Sequence, residues 1–175
     1  MSNGVTDFSR LELNLQNCLG NYRYFRSKLQ RTTKLLVLVK ANAYGHGAVE
    51  FALMVQNAGA DYLAVALPIE GIELRQSGIS LPILVLTAGT DYFDEIIDNH
   101  LEPGIPNLYT LKALVSTLQS RGIEDFPIHI KLDTGMHRLG FMTSELDDLN
   151  EYLKTCPEVR VKSVYSHLAV AEDPS

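Results

Sequence analysis

The stretch LLVLVKANAYGHG, residues 35–47, joins a short apolar run to a glycine-containing turn through a single lysine, Lys40. The apolar run extends back to Lys34 and has the composition of a strand buried on both faces, as strands of parallel sheets are. Gly45 and Gly47 permit left-handed or tight backbone conformations in the turn. We therefore predict a buried strand that ends at Lys40 and passes into a polar turn.

Strands and helices alternate along the rest of the chain. The predicted strands are residues 34–39, 62–66, 82–86, 101–105, 127–132 and 161–165, the fourth being weak because it contains a proline and a glycine. The predicted helices are residues 11–29, 48–57, 68–76, 92–99, 108–120 and a last one capped by Ser144 and ending near Lys154. This order predicts βαβ units in a parallel sheet. No GxGxxG follows the first strand, so we predict a partial (β/α)₈ TIM barrel with about six of its eight βα units.

Composition narrows the class of protein. The chain has 175 residues, 46% of them hydrophobic, and a formal net charge of −6. This acidic balance argues against nucleic-acid binding, which needs a basic surface. The apolar runs are too short to span a membrane, and no signal-peptide core is visible, so we expect a cytoplasmic protein. Cys18 and Cys156 fit no metal-ligand spacing and read as buried or half-buried thiols, and no metal site is predicted.

Three groups of residues with reactive or ligand-binding side chains lie at or just after the ends of predicted strands. Lys40 ends the first strand, residues 133–138 follow the fifth, and Ser166 and His167 end the sixth. In a barrel the active site forms at the C-terminal ends of the strands, so we expect these groups to share one rim. A lysine in a partly apolar pocket can serve as nucleophile or base, and an arginine such as Arg138 can clamp a carboxylate.

Each residue also has an ordinary explanation. Lys40 could be a surface lysine whose stem covers the rim, and Arg138 a surface arginine. A lone histidine such as His167 is more often structural than catalytic. The Asp-Thr-Gly triplet beginning at Asp133 resembles an aspartic protease motif. That chemistry needs two aspartates that share a proton, and the chain has a single such triplet, so a protease would have to be a dimer. The alternation of strands and helices also fits an all-β protease badly.

The three groups, in this order, resemble the alanine racemase family. VKANAYGHG is similar to the family's cofactor-lysine motif, KLDTGMHRLGF to its second signature and SHLAVAED to a third segment. Residues 59–89 also resemble the family along their whole length, and LELNLQNCLGNYRYFR is a looser match. The resemblance implies a TIM barrel followed by a β-rich C-terminal domain, a homodimer, and dependence on pyridoxal 5'-phosphate. It implies interconversion of L- and D-alanine, which supplies D-alanine for peptidoglycan.

The resemblance also implies roles for individual residues. Lys40 would form a Schiff base with the cofactor and act as one of two catalytic bases. Tyr44 would contact the cofactor phosphate, Arg138 the cofactor's phenolic oxygen and the substrate carboxylate, and His167 the cofactor ring. Lys131 matches a lysine that is carbamylated in some members. Position 137 is often glycine in the family, and His137 here is expected to alter the loop or its neighbours without affecting the catalytic residues.

The length qualifies these expectations. We interpret residues 1–175 as the N-terminal part of the cofactor-binding barrel, without the last two strands and without the C-terminal β domain, where the second base would lie. We expect this fragment to be inactive alone and, because its sheet has open edges, to associate or to be poorly soluble. The alternatives are a racemase for serine or lysine, a non-catalytic pyridoxal-phosphate barrel, and an interaction domain in which Lys40 is idle.

Overall fold

A computed structural model describes residues 11–171. Its six strands form one parallel sheet in the order β1-β2-β3-β4-β5-β6. The strands are β1 (Leu36–Leu38), β2 (Tyr62–Val65), β3 (Ile83–Val85), β4 (Glu102–Ile105), β5 (Phe126–Lys131) and β6 (Val159–Tyr165). Strands adjacent in sequence are adjacent in the sheet, which is the winding of a barrel, and the partial TIM barrel predicted from the sequence is confirmed.

Helices connect each strand to the next. They are α1 (Leu15–Ser27), α2 (Lys40–Gly45), α3 (Ala48–Asn57), α4 (Pro68–Gln76), α5 (Phe93–Asp98), α6 (Leu108–Ser120) and α7 (Leu146–Leu153). Short 3₁₀ turns, Thr90–Tyr92 and Thr143–Glu145, precede α5 and α7. No helix in the described part of the chain is both long and apolar enough to cross a membrane.

Two predicted helix starts are wrong. The first helix begins at Leu15 rather than at residue 11, because the Asn14 side chain caps it by accepting from the backbone N–H groups of Gln16 and Asn17. Ser144 does not cap α7 but lies inside the preceding 3₁₀ turn. There Glu145 accepts a hydrogen bond of 2.7 Å from the Met142 N–H.

Burial differs between the middle and the edges of the sheet. Strands β2, β3 and β4 are buried at every position. The prediction that the first strand is buried on both faces is wrong, since Leu36 is 40% exposed and β1 pairs only with β2 among the described residues. Strand β6 is likewise an edge of the described sheet and is mostly exposed. Cys156 is buried and Cys18 half-buried, as predicted.

Gly104 explains why β4 tolerates a sequence that reads as a weak strand. A β-carbon at position 104 would collide with the hydroxyl of Tyr165, which reaches across the barrel interior from β6. The missing side chain therefore creates the space that the tyrosine fills. A bulge between β5 and β6 helps to aim residues of β6, since Ile128 pairs with Val161 but His129 pairs with Ser163, leaving Lys162 as the extra residue.

Candidate active site

A cavity of about 810 Å³ lies inside the curved sheet. It is lined by inward-facing residues of β1, β2, β3, β5 and β6 and by residues of the loops that follow β5 and β6. The charged residues that line it are all basic: Lys34, Lys40, Lys131, Arg138 and Lys162. No carboxylate occurs among the described residues that line it. The cavity therefore has the size of a small-molecule site and favours an anionic ligand.

Lys40 reaches this cavity from an unusual backbone segment. Residues Ala41, Asn42, Ala43 and Tyr44 all adopt left-handed conformations, with φ between 50° and 56°. This conformation costs an L-residue about 1–2 kcal/mol, and only asparagine among these three residue types adopts it readily. Such strain persists only where the surrounding structure imposes it, and it concentrates at functional sites. The turn α2 is therefore held by contacts from outside itself.

Glu70 supplies the most important of those contacts. One of its carboxylate oxygens accepts a hydrogen bond from the Ala41 N–H at 2.6 Å. The other accepts from the N–H groups of Ala66 and Leu67 at 2.7 and 3.0 Å. At the far end of the turn, the Asn42 side chain accepts from the Ala48 N–H at 2.8 Å. A single carboxylate thus ties the residue after Lys40 to the loop that follows β2.

The loop after β5 is organised by Asp133. Its Oδ1 accepts hydrogen bonds of 3.0 Å from the N–H groups of Gly135 and His137. These two bonds hold the pKa of the Asp133 carboxyl below its ordinary value. His137 has a left-handed φ of 51°, its ring is 72% exposed, and its Nδ1 lies 3.3 Å from Asp133 Oδ2. The conformation at position 137 is one that glycine adopts more easily.

Gly140 closes the same loop. Its φ is 127°, and a β-carbon there would lie 2.5 Å from the backbone of Leu132 and Asp133. The absence of a side chain lets Phe141 return to the sheet, where its N–H donates to the carbonyl of Lys131 at 2.8 Å. This close return fixes both ends of the segment that carries Arg138.

Lys131 lies at the end of β5, within the cavity. Burial is the main cause that lowers its pKa, the positive charge of Arg138 lowers it further, and Asp133 opposes the effect. Its Nζ lies 4.9 Å from the centre of the Tyr165 ring. Burial raises the pKa of Tyr165 to about 12, so its hydroxyl stays protonated. Lys131 is thus held beside an aromatic face and a second cation.

Four of the five site residues predicted from the sequence line one cavity: Lys40, Lys131, Arg138 and His167. Tyr44 does not line it. The Tyr44 side chain is 59% exposed and lines a separate cavity of about 420 Å³ between α1, β1 and α3. Its ring centre nevertheless lies 5.9 Å from the Lys40 Nζ.

Sequence reasoning missed Glu70 and the lysines at the opposite end of the cavity. Glu70 had one detectable signal, its place two residues after the helix-opening Pro68, where a glutamate side chain can bond backward to free N–H groups. Lys34 and Lys162 had none, because a lysine beside or within a strand is ordinary on a protein surface.

The fold and the cavity define a class: a parallel β/α protein that presents a lysine and an arginine to a ligand at the C-terminal ends of its strands. A family model described as "Alanine racemase, N-terminal domain" matches residues 13–175. The alanine racemase of Synechocystis sp. is 38% identical over 167 residues, covering 94% of this chain and 45% of the relative. That of a Nostoc species is 37% identical, with coverages of 94% and 43%.

Solved structures agree. The alanine racemase of Clostridium difficile 630 superposes with a TM-score of 0.86 at 35% identity, covering 92% of this chain and 43% of that one. The chain belongs to the alanine racemase family. It spans less than half the length of the curated relatives that it matches.

Proposed function

We propose that this chain forms the cofactor-binding part of an alanine racemase that uses pyridoxal 5'-phosphate. The observation that carries the proposal is the convergence of Lys40, Lys131, Arg138 and His167 on one cavity whose charged lining residues are all basic. Family membership and the activity named for the relatives support it. We also propose that residues 1–175 are the first part of the barrel and that a β-rich domain and two further strands belong to the complete enzyme.

The residues of the cavity suit this cofactor. Lys40 supplies the amine that would hold it covalently, and the surrounding cations match its phosphate and phenolate. We assign Arg138 to the cofactor's phenolic oxygen and to the substrate carboxylate, and His167 to the face of the ring. Tyr44 keeps its proposed role toward the phosphate, although its side chain lines the neighbouring cavity. When bound, the cofactor acts as an electron sink for the pair left by the α-proton.

The chain's own residues would handle binding and one proton transfer. Arg138 would fix the carboxylate of alanine, so that the α-carbon faces Lys40. The Lys40 amine, once free of the cofactor, would take or return the α-proton on its face of the substrate. Racemisation needs a second acid or base on the opposite face, and we propose that the complete homodimer supplies it. A cytoplasmic location is part of the same proposal.

Lys131 is proposed as a supporting residue that can be carbamylated. Only the neutral form of an amine reacts with carbon dioxide, and burial beside Arg138 lowers the pKa of Lys131 in that direction. The added group would carry a negative charge and would hold the guanidinium of Arg138 in place.

A cofactor titration tests the proposal. Addition of pyridoxal phosphate is expected to give the visible absorbance of a lysine-bound cofactor, and Lys40→Ala is expected to abolish it. Lys34→Ala is the matched control, because Lys34 lines the same cavity but lies at the opposite end of β1 from Lys40. This substitution should leave the signal unchanged. An equal signal from Lys40→Ala, or none from the unmodified chain, would overturn the assignment of Lys40.

The substrate is tested separately. With the complete enzyme, L-alanine should be racemised faster than L-serine or L-lysine at equal concentrations. A preference for serine or lysine would replace alanine by one of those amino acids while leaving the cofactor site intact.

A further inference from the structure

A second group of polar residues lies in the barrel interior, apart from the residues assigned to the cofactor. Glu102 on β4 and His129 on β5 are 8% and 3% exposed, and the two side chains share a hydrogen bond of 2.7 Å between Glu102 Oε2 and His129 Nε2. The other ring nitrogen, Nδ1, lies 2.7 Å from the Oγ of Ser163 on β6. Three strands thus contribute to one chain of hydrogen bonds.

The direction of these hydrogen bonds follows from the carboxylate. Burial alone would raise the pKa of Glu102, but the hydrogen bond and the positive charge that His129 can provide, the hydrogen bond from Tyr62 and the charge of Lys162 together hold the pKa below its ordinary value. The ionised carboxylate can only accept, so Nε2 of His129 carries a proton and donates a hydrogen bond to Glu102. Whenever the imidazole is neutral, Nδ1 has a free lone pair and can accept a hydrogen bond from the Ser163 hydroxyl, which lies 2.7 Å away.

Ser163 is the accessible member of the group. Glu102 is buried and does not line the cavity, His129 is buried but lines it, and Ser163 is exposed and lines it. The β-bulge is what brings it into position, since without the extra residue Lys162 the partner of His129 would be a different residue. A nucleophile bonded to a base, with the base oriented by a third group, is the arrangement that activates a serine.

We propose that Ser163, His129 and Glu102 form a nucleophilic triad that accepts an acyl or phosphonyl group on Ser163. With a carboxylic ester, a bond forms between Ser163 Oγ and the carbonyl carbon, and the bond to the leaving alcohol breaks. The serine proton passes to His129 Nδ1 and then to the departing oxygen. The cations that line the cavity favour the negative charge that develops on the carbonyl oxygen. None of the three residues is assigned to the cofactor, but His129 and Ser163 line the same cavity as the residues that are.

Labelling with a fluorophosphonate tests the triad, because this reagent reacts with activated hydroxyl groups and releases fluoride. The label is expected on Ser163, located by peptide mass spectrometry, and absent from Ser163→Ala. Ser166→Ala is the matched control: Ser166 lines the same cavity, but its hydroxyl bonds Thr134 at 2.7 Å instead of a histidine. It should leave labelling of Ser163 unchanged.

The supporting residues give a second readout. His129→Gln is expected to slow labelling by about 100-fold, the usual contribution of a positioned base, and Glu102→Gln by at least about tenfold. Circular dichroism identifies variants that do not fold, and Glu102→Gln, which preserves the shape of the side chain, keeps the test open if His129→Gln fails. Absence of label on the folded chain, a label on Ser166 instead, or an equal labelling rate in folded Glu102→Gln would each overturn the proposal.

Discussion

Two loops carry Lys40 and Arg138, two of the cationic side chains of the cavity, and they are stabilised in different ways. The turn α2 after β1 places four consecutive non-glycine residues in the left-handed region, and a carboxylate from another helix, Glu70, holds its first N–H group. The loop of residues 133–140 after β5 has glycines at two of its three positive-φ positions and is capped by its own Asp133. The first loop depends on tertiary contacts, and the second is largely encoded by its own residues.

This difference predicts where substitutions will be most damaging. A locally encoded loop should fail when its own glycine is replaced. A loop under strain should fail when its distant support is removed.

The largest effect is expected for Gly140→Ala. The added methyl group would collide with the backbone of Leu132 and Asp133, and the positive φ would add conformational strain. We expect a loss of about 2–5 kcal/mol in the free energy of unfolding, measured by urea denaturation. Gly122→Ala is the control, because Gly122 also has a positive φ, 64°, but has open space around it. Equal losses from the two substitutions would show that the close approach at position 140 is unimportant.

The next effect is expected for Glu70→Ala. Removal of the carboxylate leaves three backbone N–H groups without their acceptor, at a cost of about 1–3 kcal/mol. The α2 turn should then relax, and the absorbance of cofactor bound through Lys40 should fall several-fold at a fixed cofactor concentration. Glu73→Ala, on the exposed side of the same helix, should change neither quantity. If Glu70→Ala also kept full cofactor absorbance, the left-handed turn would not depend on this carboxylate.

The sequence predicted the second loop better than the first. Gly135 and Gly140 mark positions that need unusual backbone conformations, and the alternation of apolar runs located all six strands. Nothing in Ala41, Asn42, Ala43 or Tyr44 indicates a left-handed turn, since alanine and tyrosine avoid that conformation. The cause lies 29 residues further along the chain, in Glu70.

The sequence pattern also did not predict which strands lie at the edges of the sheet or which residues of β5 and β6 lie opposite each other. The apolar composition of β1 predicted burial on both faces, but composition does not reveal which strand lies at the edge of the described sheet. The bulge that sets His129 opposite Ser163 depends on how two strands pair, which neither strand encodes alone. The sequence predicted which residues near strand ends belong to the site. It did not predict that Tyr44 lines a different cavity from the other four.

The smallest effect concerns the cap of the second loop. The pKa of Asp133 is depressed in the folded chain, so its contribution to stability is present above the unfolded pKa of about 3.9 and is lost as the pH falls through the folded value. Asp133→Asn should therefore lower the urea midpoint at neutral pH, and the difference from the unmodified chain should shrink below about pH 4. A difference that stays constant from pH 7 to pH 2 would mean that the charge of Asp133 does not stabilise its loop.

We propose that the strained turn presents Lys40, and not another lysine of the cavity, to the cofactor. The most direct measurement is to mix the chain with pyridoxal phosphate, reduce the adduct with borohydride and identify the modified lysine by peptide mass spectrometry. Four lysines line the cavity: Lys34, Lys40, Lys131 and Lys162. We predict that the modification lies on Lys40. Modification of Lys34, Lys131 or Lys162 in preference to Lys40, or an even distribution among the four, would contradict the account.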